Sequence, residues 1–296
     1  MSLAKTSRSF KEFVEDQKLF NKKLEFRINC ETALISFDNH FIFVEKRGDN
    51  CLRRSGIGCL RNMKFVQGVS HWEQGIQDFA SILKLKNFYL DNLKVDFVSL
   101  YLPYYIEMQG SSNSIIALED AFESTQQLNV KHFTLDAYSI ESLPYILPAF
   151  KPGYLSKIDF SVAQSDSYRL EELSFKRMGR MEQWKQAKYL NMSSGWLYGS
   201  LHHFYHFKEF NVRYRTLSVE DIRQMRKILF NSPDFKKCTI TVEKCLDMPA
   251  IRNEFGNAID GNPNIYHYPI PNSKEYFGVK LELLILDAYI IEITRK

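Results

Sequence analysis

The sequence is poor in cysteine, and the few cysteines are scattered. Only five occur among 296 residues, and no two of them form a CxxC pair. They are Cys30, Cys51, Cys59, Cys238 and Cys245. An odd and dispersed set lacks both the framework of a disulfide-rich secreted domain and the spacing of a structural zinc site. We therefore expect reduced thiols and a cytoplasmic location, with the nucleus as the alternative.

The sequence also lacks a long hydrophobic run. The longest apolar stretch, residues 281–293, is interrupted by Glu282, Asp287 and Glu292, whereas a membrane span needs about 20 apolar residues in succession. The charged N-terminal segment contains no apolar stretch of the kind that forms the core of a secretory signal. Neither a membrane span nor a secretory leader is predicted.

Signatures of catalysis are missing as well. The sequence has no nucleophile elbow, no phosphate-binding P-loop and no dinucleotide glycine motif, so we expect neither an enzyme nor a cofactor. The strongest metal candidates are His202 and His206, whose spacing would place both rings on one face of a helix. No glutamate lies between them in the metalloprotease pattern, and no third ligand is near. We interpret these histidines as structural, without a bound metal.

Charge is nearly balanced along the chain. The 39 Lys and Arg residues against 35 Asp and Glu residues give a formal net charge of +4. Dedicated nucleic-acid-binding proteins concentrate a stronger positive charge on one face. The basic groups at residues 46–47, 53–54 and 176–180 are separated in sequence, and we interpret them as solvated surface. Binding of RNA through a basic and aromatic surface is the alternative function.

The first part of the chain contains short elements. Residues 10–20 place phenylalanine, valine and leucine at helical spacing, which predicts an amphipathic helix. Three β-rich runs follow and predict a small antiparallel β meander. The runs are residues 24–28, 33–37 and 41–44. Glycine and polar residues over 48–58 predict a basic loop, and apolar spacing over 72–85 predicts a second helix.

From about Leu90 onward, strands and helices alternate. The six strand candidates are residues 97–102, 131–137, 155–162, 188–193, 208–214 and 236–242. Their intervals straddle the about 20 to 29 residues of leucine-rich repeats. We predict an α/β fold: an irregular leucine-rich-repeat-like solenoid of strand–helix units with a curved, mostly parallel sheet. A doubly wound α/β sheet is the competing interpretation, and two β-rich runs after residue 275 predict a terminal strand or hairpin.

Side chains alternate along a strand, which divides the predicted sheet into two faces. One face is apolar and is the predicted core. It comprises Phe133, Leu135, Ile158, Phe160, Leu190, Met192, Phe210 and Val212. The other, concave face is the predicted partner-binding surface, since solenoids bind through extended concave surfaces. It comprises His132, Thr134, Asp136, Lys157, Asp159, Asn191, Asn211, Arg213 and Arg215.

The segment MEQWKQAK at residues 181–188 carries a family resemblance. It resembles the central motif of the FTH domain of nematode F-box A proteins, and the segment HFKEF at residues 206–210 resembles a later motif of that domain. The resemblance runs from about Leu90 to the C-terminus. We expect the motif residues to be mainly structural, with Trp184 in the core. They are Glu182, Gln183, Trp184, Lys185, Ala187, Lys188, His206 and Phe207.

The resemblance implies a non-catalytic module that recognises another protein. In F-box proteins an N-terminal three-helix module docks on the Skp adaptor of a cullin–RING ubiquitin ligase, and the C-terminal domain holds the substrate. The implied organisation is a remnant of the last F-box helix over residues 1–22, the meander and a linker helix over 23–88, and the FTH domain over 89–296. One helix cannot form a three-helix docking surface, so docking on the Skp adaptor and cullin through a normal F-box is not expected. Either the chain is a truncated gene product, or it binds its partner without recruiting a ligase.

Overall fold

The computed structural model describes most of the chain. The described residues are 23–38, 40–57, 60–85, 89–97, 110–125, 127–137, 139–162, 168–245, 247–259, 261–270, 273–284 and 288–296. The chain divides into two compact units: unit one runs to residue 156 without 139–141, and unit two comprises 139–141 and 157–296. No helix in the described part is long and apolar enough to cross a membrane. The predicted helix over residues 10–20 and the F-box remnant predicted over residues 1–22 lie outside the described residues.

Unit one begins with the predicted antiparallel meander, which has five strands instead of three. They are β1 (Lys23–Ile28), β2 (Thr32–Phe37), β3 (His40–Arg47), β4 (Asn50–Ile57) and β5 (Leu60–Val66). Each strand pairs with the next in antiparallel register. The loop predicted over residues 48–58 is wrong, because most of it forms β4. The buried positions of β4 are Cys51, Arg53 and Ser55, and two polar residues on the inner face concealed the alternation that predicts a strand.

Helix α1 (His71–Leu83) packs on the meander and confirms the helix predicted over residues 72–85. It begins with a capping box. The ring of Phe79, on its buried face, stacks on Phe26 of β1 with 4.5 Å between ring centroids. Gly75 allows the helix to approach β2 closely, since a Cβ added there would lie 2.5 Å from the Cβ of Ala33. The helix is therefore tied to the first two strands by aromatic stacking and by close backbone approach.

Two parallel strands complete the sheet of unit one. Strand β6 (Tyr89–Asp96) pairs with β1 and with β7 (Asn129–Ala137), and helix α2 (Gly110–Glu123) lies between β6 and β7 in the chain. The short helix α3 (Leu143–Ile146) follows β7. The strand predicted from residue 97 is placed too late, since β6 ends at Asp96, and residues 98–102 lie outside the described residues. The strand order in unit one is β7-β6-β1-β2-β3-β4-β5.

Unit two is built on four parallel strands connected by helices. The strands are β8 (Lys157–Val162), β9 (Tyr189–Leu197), β10 (Glu209–Leu217) and β11 (Lys237–Cys245). The helices are α4 (Tyr168–Met178), α5 (Glu182–Gln186), α6 (Val219–Leu229) and α7 (Met248–Glu254). A turn at Gly179 and Arg180 separates α4 from α5. Spatial order follows chain order from β8 to β11, as it does in stacked repeat units.

Antiparallel strands extend the sheet of unit two at its C-terminal side. They are β12 (Ala258–Ile259), β13 (Asn262–Pro269), β14 (Tyr276–Leu283) and β15 (Tyr289–Arg295). The predicted terminal hairpin is confirmed as the β14–β15 pair, and β15 also pairs with β11. The strand order in unit two is therefore β8-β9-β10-β11-β15-β14-β13-β12.

The fold class is confirmed as a mixed α/β chain with parallel strands and an antiparallel meander. The eight side chains predicted to face the core on strands β7–β10 are at most 3% exposed. The prediction that these side chains form part of the core is therefore confirmed. The leucine-rich-repeat-like solenoid and the domain boundary at residue 88 stay predictions.

Candidate functional site

The unit-two residues of the predicted binding surface share one side of strands β8–β10. These residues, which we call the polar face, are Lys157, Asp159, Asn191, Asn211, Arg213 and Arg215. They are partly exposed and alternate along their strands with buried residues. The strand registers place Asp159 beside Asn191 and Asn191 beside Asn211. The Nδ2 of Asn211 donates to the Oδ1 of Asn191 over 2.9 Å, so the strands are linked through side chains as well as through the backbone.

Two arginines of the polar face lie over aromatic rings from β9 and the residue that follows it. The guanidinium carbon of Arg213 is 4.2 Å from the ring centroid of Trp196, and that of Arg215 is 5.4 Å from the ring of Tyr198. The Nη1 of Arg215 also pairs with Glu243 of β11 at 3.0 Å. We call these five residues the Arg–aromatic cluster. Each guanidinium is held by a ring, so its donors are oriented before a ligand arrives.

An irregularity in β9 places the aromatic side chains of the cluster. The ladder between β9 and β10 shifts register between Val212 and Tyr214, and Gly195 adopts a φ of +74° at that point. A Cβ on Gly195 would lie 3.0 Å from the Cβ of Val162, so the close approach also favours glycine. β-bulges re-aim side chains and are common beside functional sites. The strand predicted over 188–193 was too short, and sequence reasoning therefore missed Trp196 and Tyr198.

The other three predicted binding residues lie on β7 in unit one. They are His132, Thr134 and Asp136. The Nδ2 of Asn92, on β6, is 3.1 Å from the Nδ1 of His132, and the Nζ of Lys94 is 3.1 Å from the Oδ2 of Asp136. These contacts cross between neighbouring parallel strands. The role of the three residues in partner binding stays a prediction.

The MEQWKQAK motif forms part of the hydrophobic core of unit two. Trp184 of α5 is 1% exposed, and Ala187 is 2% exposed. The Trp184 ring meets the Phe207 ring edge to face with 5.1 Å between centroids. The Nε2 of His206 donates to the backbone oxygen of Trp184 over 3.0 Å. The two family motifs therefore pack against each other, and the tryptophan is not available as a stacking platform.

The polar residues of the motif lie at the surface of the same short helix. The Nζ of Lys185 pairs with Glu182 at 2.9 Å, and the Nε2 of Gln186 donates to the other Glu182 oxygen over 3.0 Å. Lys188 contributes its backbone oxygen, which accepts from the backbone N–H of Lys208 over 2.9 Å. These contacts hold α5 and the start of β10 in place.

The rings of His202 and His203 lie side by side with 3.9 Å between centroids, whereas His206 contacts the backbone of Trp184. Residues 201–204 form a 3-10 helix, and the Nε2 of His203 lies 3.3 Å from the Oε2 of Glu172 on α4. Burial, with the neighbouring His202, lowers the pKa of His203, and burial also lowers the pKa of His206. No cluster of three metal-ligating side chains occurs in the described part of the chain.

We expect the folded protein to lose stability as the pH falls below about 6.5, the ordinary histidine pKa. Burial lowers the pKa of His71 as well as that of His203 and His206, so the unfolded chain takes up protons that the folded chain excludes. The stability that the neutral rings provide is present above that pH and is lost below it. Urea unfolding at pH 7.5, 6.5 and 5.5 checks this. In the variant His71→Gln/His206→Gln, the free energy of unfolding should change less steeply with pH. Each ring that is removed should lower this slope by up to about 1.4 kcal/mol per pH unit.

The matched control is His267→Gln, which removes an exposed histidine. This variant should follow the parent protein across the three pH values. An unchanged slope in the double variant would contradict the assignment of the acid-sensitive groups.

The thiols of unit two are not activated. Cys238 is buried, and burial raises the pKa of its thiol, while burial raises the pKa of the Cys245 thiol to about 11. A nucleophilic cysteine needs a lowered pKa and access to solvent. These two thiols have the properties of structural residues.

Comparison with known protein families supports the resemblance carried by the motif. The model of the FTH domain matches residues 112–258. This range contains α5, the bulged strand β9 and both arginines of the Arg–aromatic cluster. No curated protein matches the chain.

Proposed function

We propose that the chain, which carries the FTH domain over residues 112–258, is a non-catalytic protein-recognition module. The observation that carries the proposal is the Arg–aromatic cluster, which includes two arginines of the polar face. Tryptophan, tyrosine and arginine dominate the energetic hot spots of protein interfaces. All three residue types meet there on partly exposed positions.

The cluster is suited to the carboxylates of a partner protein. A guanidinium donates through a planar fork that matches the two oxygens of a carboxylate. The Nη1 of Arg215 pairs with Glu243, and the Arg215 side chain is 41% exposed, so part of its guanidinium is accessible to a partner. The stacked rings add apolar contact area at little entropic cost, because their neighbours already hold them.

The resemblance supports a more specific version of this role. The chain would correspond to the substrate-binding part of an F-box adaptor of a cullin–RING ubiquitin ligase, acting in the cytoplasm without a functional F-box. The partner is another protein, either a substrate or a regulatory protein. No cofactor takes part, and binding requires neither nucleic acid nor a membrane.

Affinity capture with the full-length chain tests the proposal. We expect Arg213→Ala/Arg215→Ala to reduce recovery of a specific protein partner at least tenfold relative to the parent chain, since hot-spot residues contribute about 2 kcal/mol or more each. Recovery is quantified by mass spectrometry, with and without ribonuclease. The Skp adaptor and cullin are measured in the same samples, and their absence would limit the function to partner binding without ligase recruitment.

A matched control removes the same number of positive charges from another part of unit two. Arg180→Ala/Lys236→Ala removes two exposed cations elsewhere in unit two and should retain the partner. If both double variants retain the same proteins as the parent chain, the cluster is not the recognition surface. Recovery that disappears with ribonuclease would point to the RNA-binding alternative and against a direct protein partner.

A further inference from the structure

A second candidate site lies in unit two, where α6 meets β13. A cleft of about 320 Å³ is lined by Arg223, Arg226, Lys227, Phe230, Asn231 and Tyr268. Three of the six lining residues are cationic, and none carries a carboxylate. Pockets that bind whole small molecules range from about 300 to 1,000 Å³. This cleft is at the lower end of that range, so it can hold one side chain of a partner or a small molecule of similar size.

The cleft is held in shape by packing and by ion pairs that lie outside it. The Phe230 ring stacks on Phe277 of β14 with 4.4 Å between centroids, and it lies 4.8 Å from the Tyr268 ring. The Nη2 of Arg223 pairs with Glu254 at 2.8 Å, and the Nη1 of Arg226 is 3.5 Å from the other oxygen of this carboxylate. Glu254 is largely buried and orients both guanidinium groups.

The cations differ in how far their charge is already neutralised. Arg223 makes two close ion pairs, with Glu254 and with Glu220. Among the described residues, the one ion pair of Arg226 is the longer contact to Glu254, and its guanidinium carbon lies 5.5 Å from the centroid of the Tyr268 ring. Lys227 is exposed, and no ion pair to a described residue is found for it. Arg226 and Lys227 are therefore the two residues with charge available for a ligand.

The competing explanation is that basic residues near the end of α6 only balance the helix dipole. The last turn of a helix carries a partial negative charge, which makes an anion there slightly less favourable. A hydrogen bond to a charged group is stronger than this effect of the helix dipole. Two such bonds, from Arg226 and Lys227, would outweigh the unfavourable dipole.

We propose that this cleft binds a phosphorylated side chain of a protein partner, a refinement that rests on the proposed role in protein recognition. A phosphomonoester brings close to two negative charges at neutral pH and three acceptor oxygens, which would engage Arg226 and Lys227 together. A carboxylate carries one charge and would satisfy fewer donors. The partly exposed Tyr268 ring provides an apolar wall beside the anion, so an aromatic phosphoester fits the cleft best.

Phenyl phosphate is the probe for a direct test. Its binding to the full-length chain is measured by isothermal titration calorimetry, in parallel with inorganic phosphate, benzoate and dimethyl phosphate. We expect phenyl phosphate to bind most tightly, and Arg226→Gln/Lys227→Gln to weaken its binding at least tenfold. Circular dichroism shows whether the variant keeps the parent fold, and Arg226→Lys, which retains the charge, should bind with intermediate affinity.

Lys236→Gln/Lys244→Gln removes two exposed lysines from the same unit and should leave the titration unchanged. An equal loss in this control would overturn the proposal, because binding would then follow net charge alone. Equal binding of benzoate would contradict the preference for a dianion, and equal binding of dimethyl phosphate would indicate a nucleic-acid backbone instead. Failure to bind any of these probes would remove the phosphate site and leave the proposed partner binding by the Arg–aromatic cluster untouched.

Discussion

Replacing Trp184 with alanine is expected to lower the free energy of unfolding by about 3–5 kcal/mol, the usual cost of deleting a large buried aromatic side chain. The ring is 1% exposed and contacts Phe175, His206 and Phe207. Its loss would leave a cavity between α4, α5 and the start of β10. Domains are stable by only about 5–15 kcal/mol, so this single change removes a large share of the total.

Urea unfolding followed by circular dichroism measures the effect. Trp196→Ala is the matched control, because it removes the same side chain from a partly exposed position on β9. Trp184→Phe keeps most of the apolar contact and should fall between Trp184→Ala and the parent protein. If Trp184→Ala costs no more than Trp196→Ala, the motif tryptophan does not support the core as described.

Removing the carboxylate of Asp78 is expected to cost about 3–5 kcal/mol, because it leaves a buried arginine without its counter-charge. The Nε of Arg53 donates to the Oδ2 of Asp78 over 2.6 Å, and the two side chains are 10% and 8% exposed. This pair joins β4 to α1 beneath the meander. The test is Asp78→Ala in urea unfolding, and Arg53→Met/Asp78→Leu should recover most of the loss by replacing the pair with apolar groups.

The exposed pair between Arg223 and Glu220 is a control with the same distance between donor and acceptor. Its Nη1 to Oε2 distance is also 2.6 Å, but its side chains are 53% and 58% exposed. Glu220→Ala should therefore cost at most about 1 kcal/mol, since water screens the exposed charges and Arg223 keeps its pair with Glu254. Equal costs for Asp78→Ala and Glu220→Ala would show that burial does not determine the contribution of the Arg53 pair.

The sequence predicts those strands and helices in which apolar residues are buried and polar residues are exposed. The alternation of apolar residues located the core-facing positions of β7 to β10, and apolar residues at helical spacing over 72–85 located α1. Prediction failed where a polar side chain is buried. Arg53 was interpreted as solvated surface, and only the structure shows Asp78, 25 residues further along the chain, as its partner. No local pattern reports a contact of that kind.

The candidate sites were predictable to different extents. Arg213 and Arg215 follow from alternation along β10, because a strand places every second residue on the same face. Their aromatic partners do not, since the register shift in β9 breaks the pattern that would have extended the strand. The phosphate cleft could not be found from the sequence at all. Its cations lie on α6 and Tyr268 lies on β13, and only the pairing of distant strands brings them together.

The position of β15 between β11 and β14 affects how the protein is made. The ribosome synthesises β11 and β14 before β15. Neither strand can therefore pair with β15 until residues 289–295 have been made. During that interval one edge of β11 is unpaired in the nascent chain. Ile240 and Cys238 then lack Ile291 and Ile293, the residues opposite them in the finished sheet. Open edges of this kind recruit other strands and promote aggregation. We therefore expect the chain to be most prone to aggregation while the stretch between β11 and β15 is being synthesised.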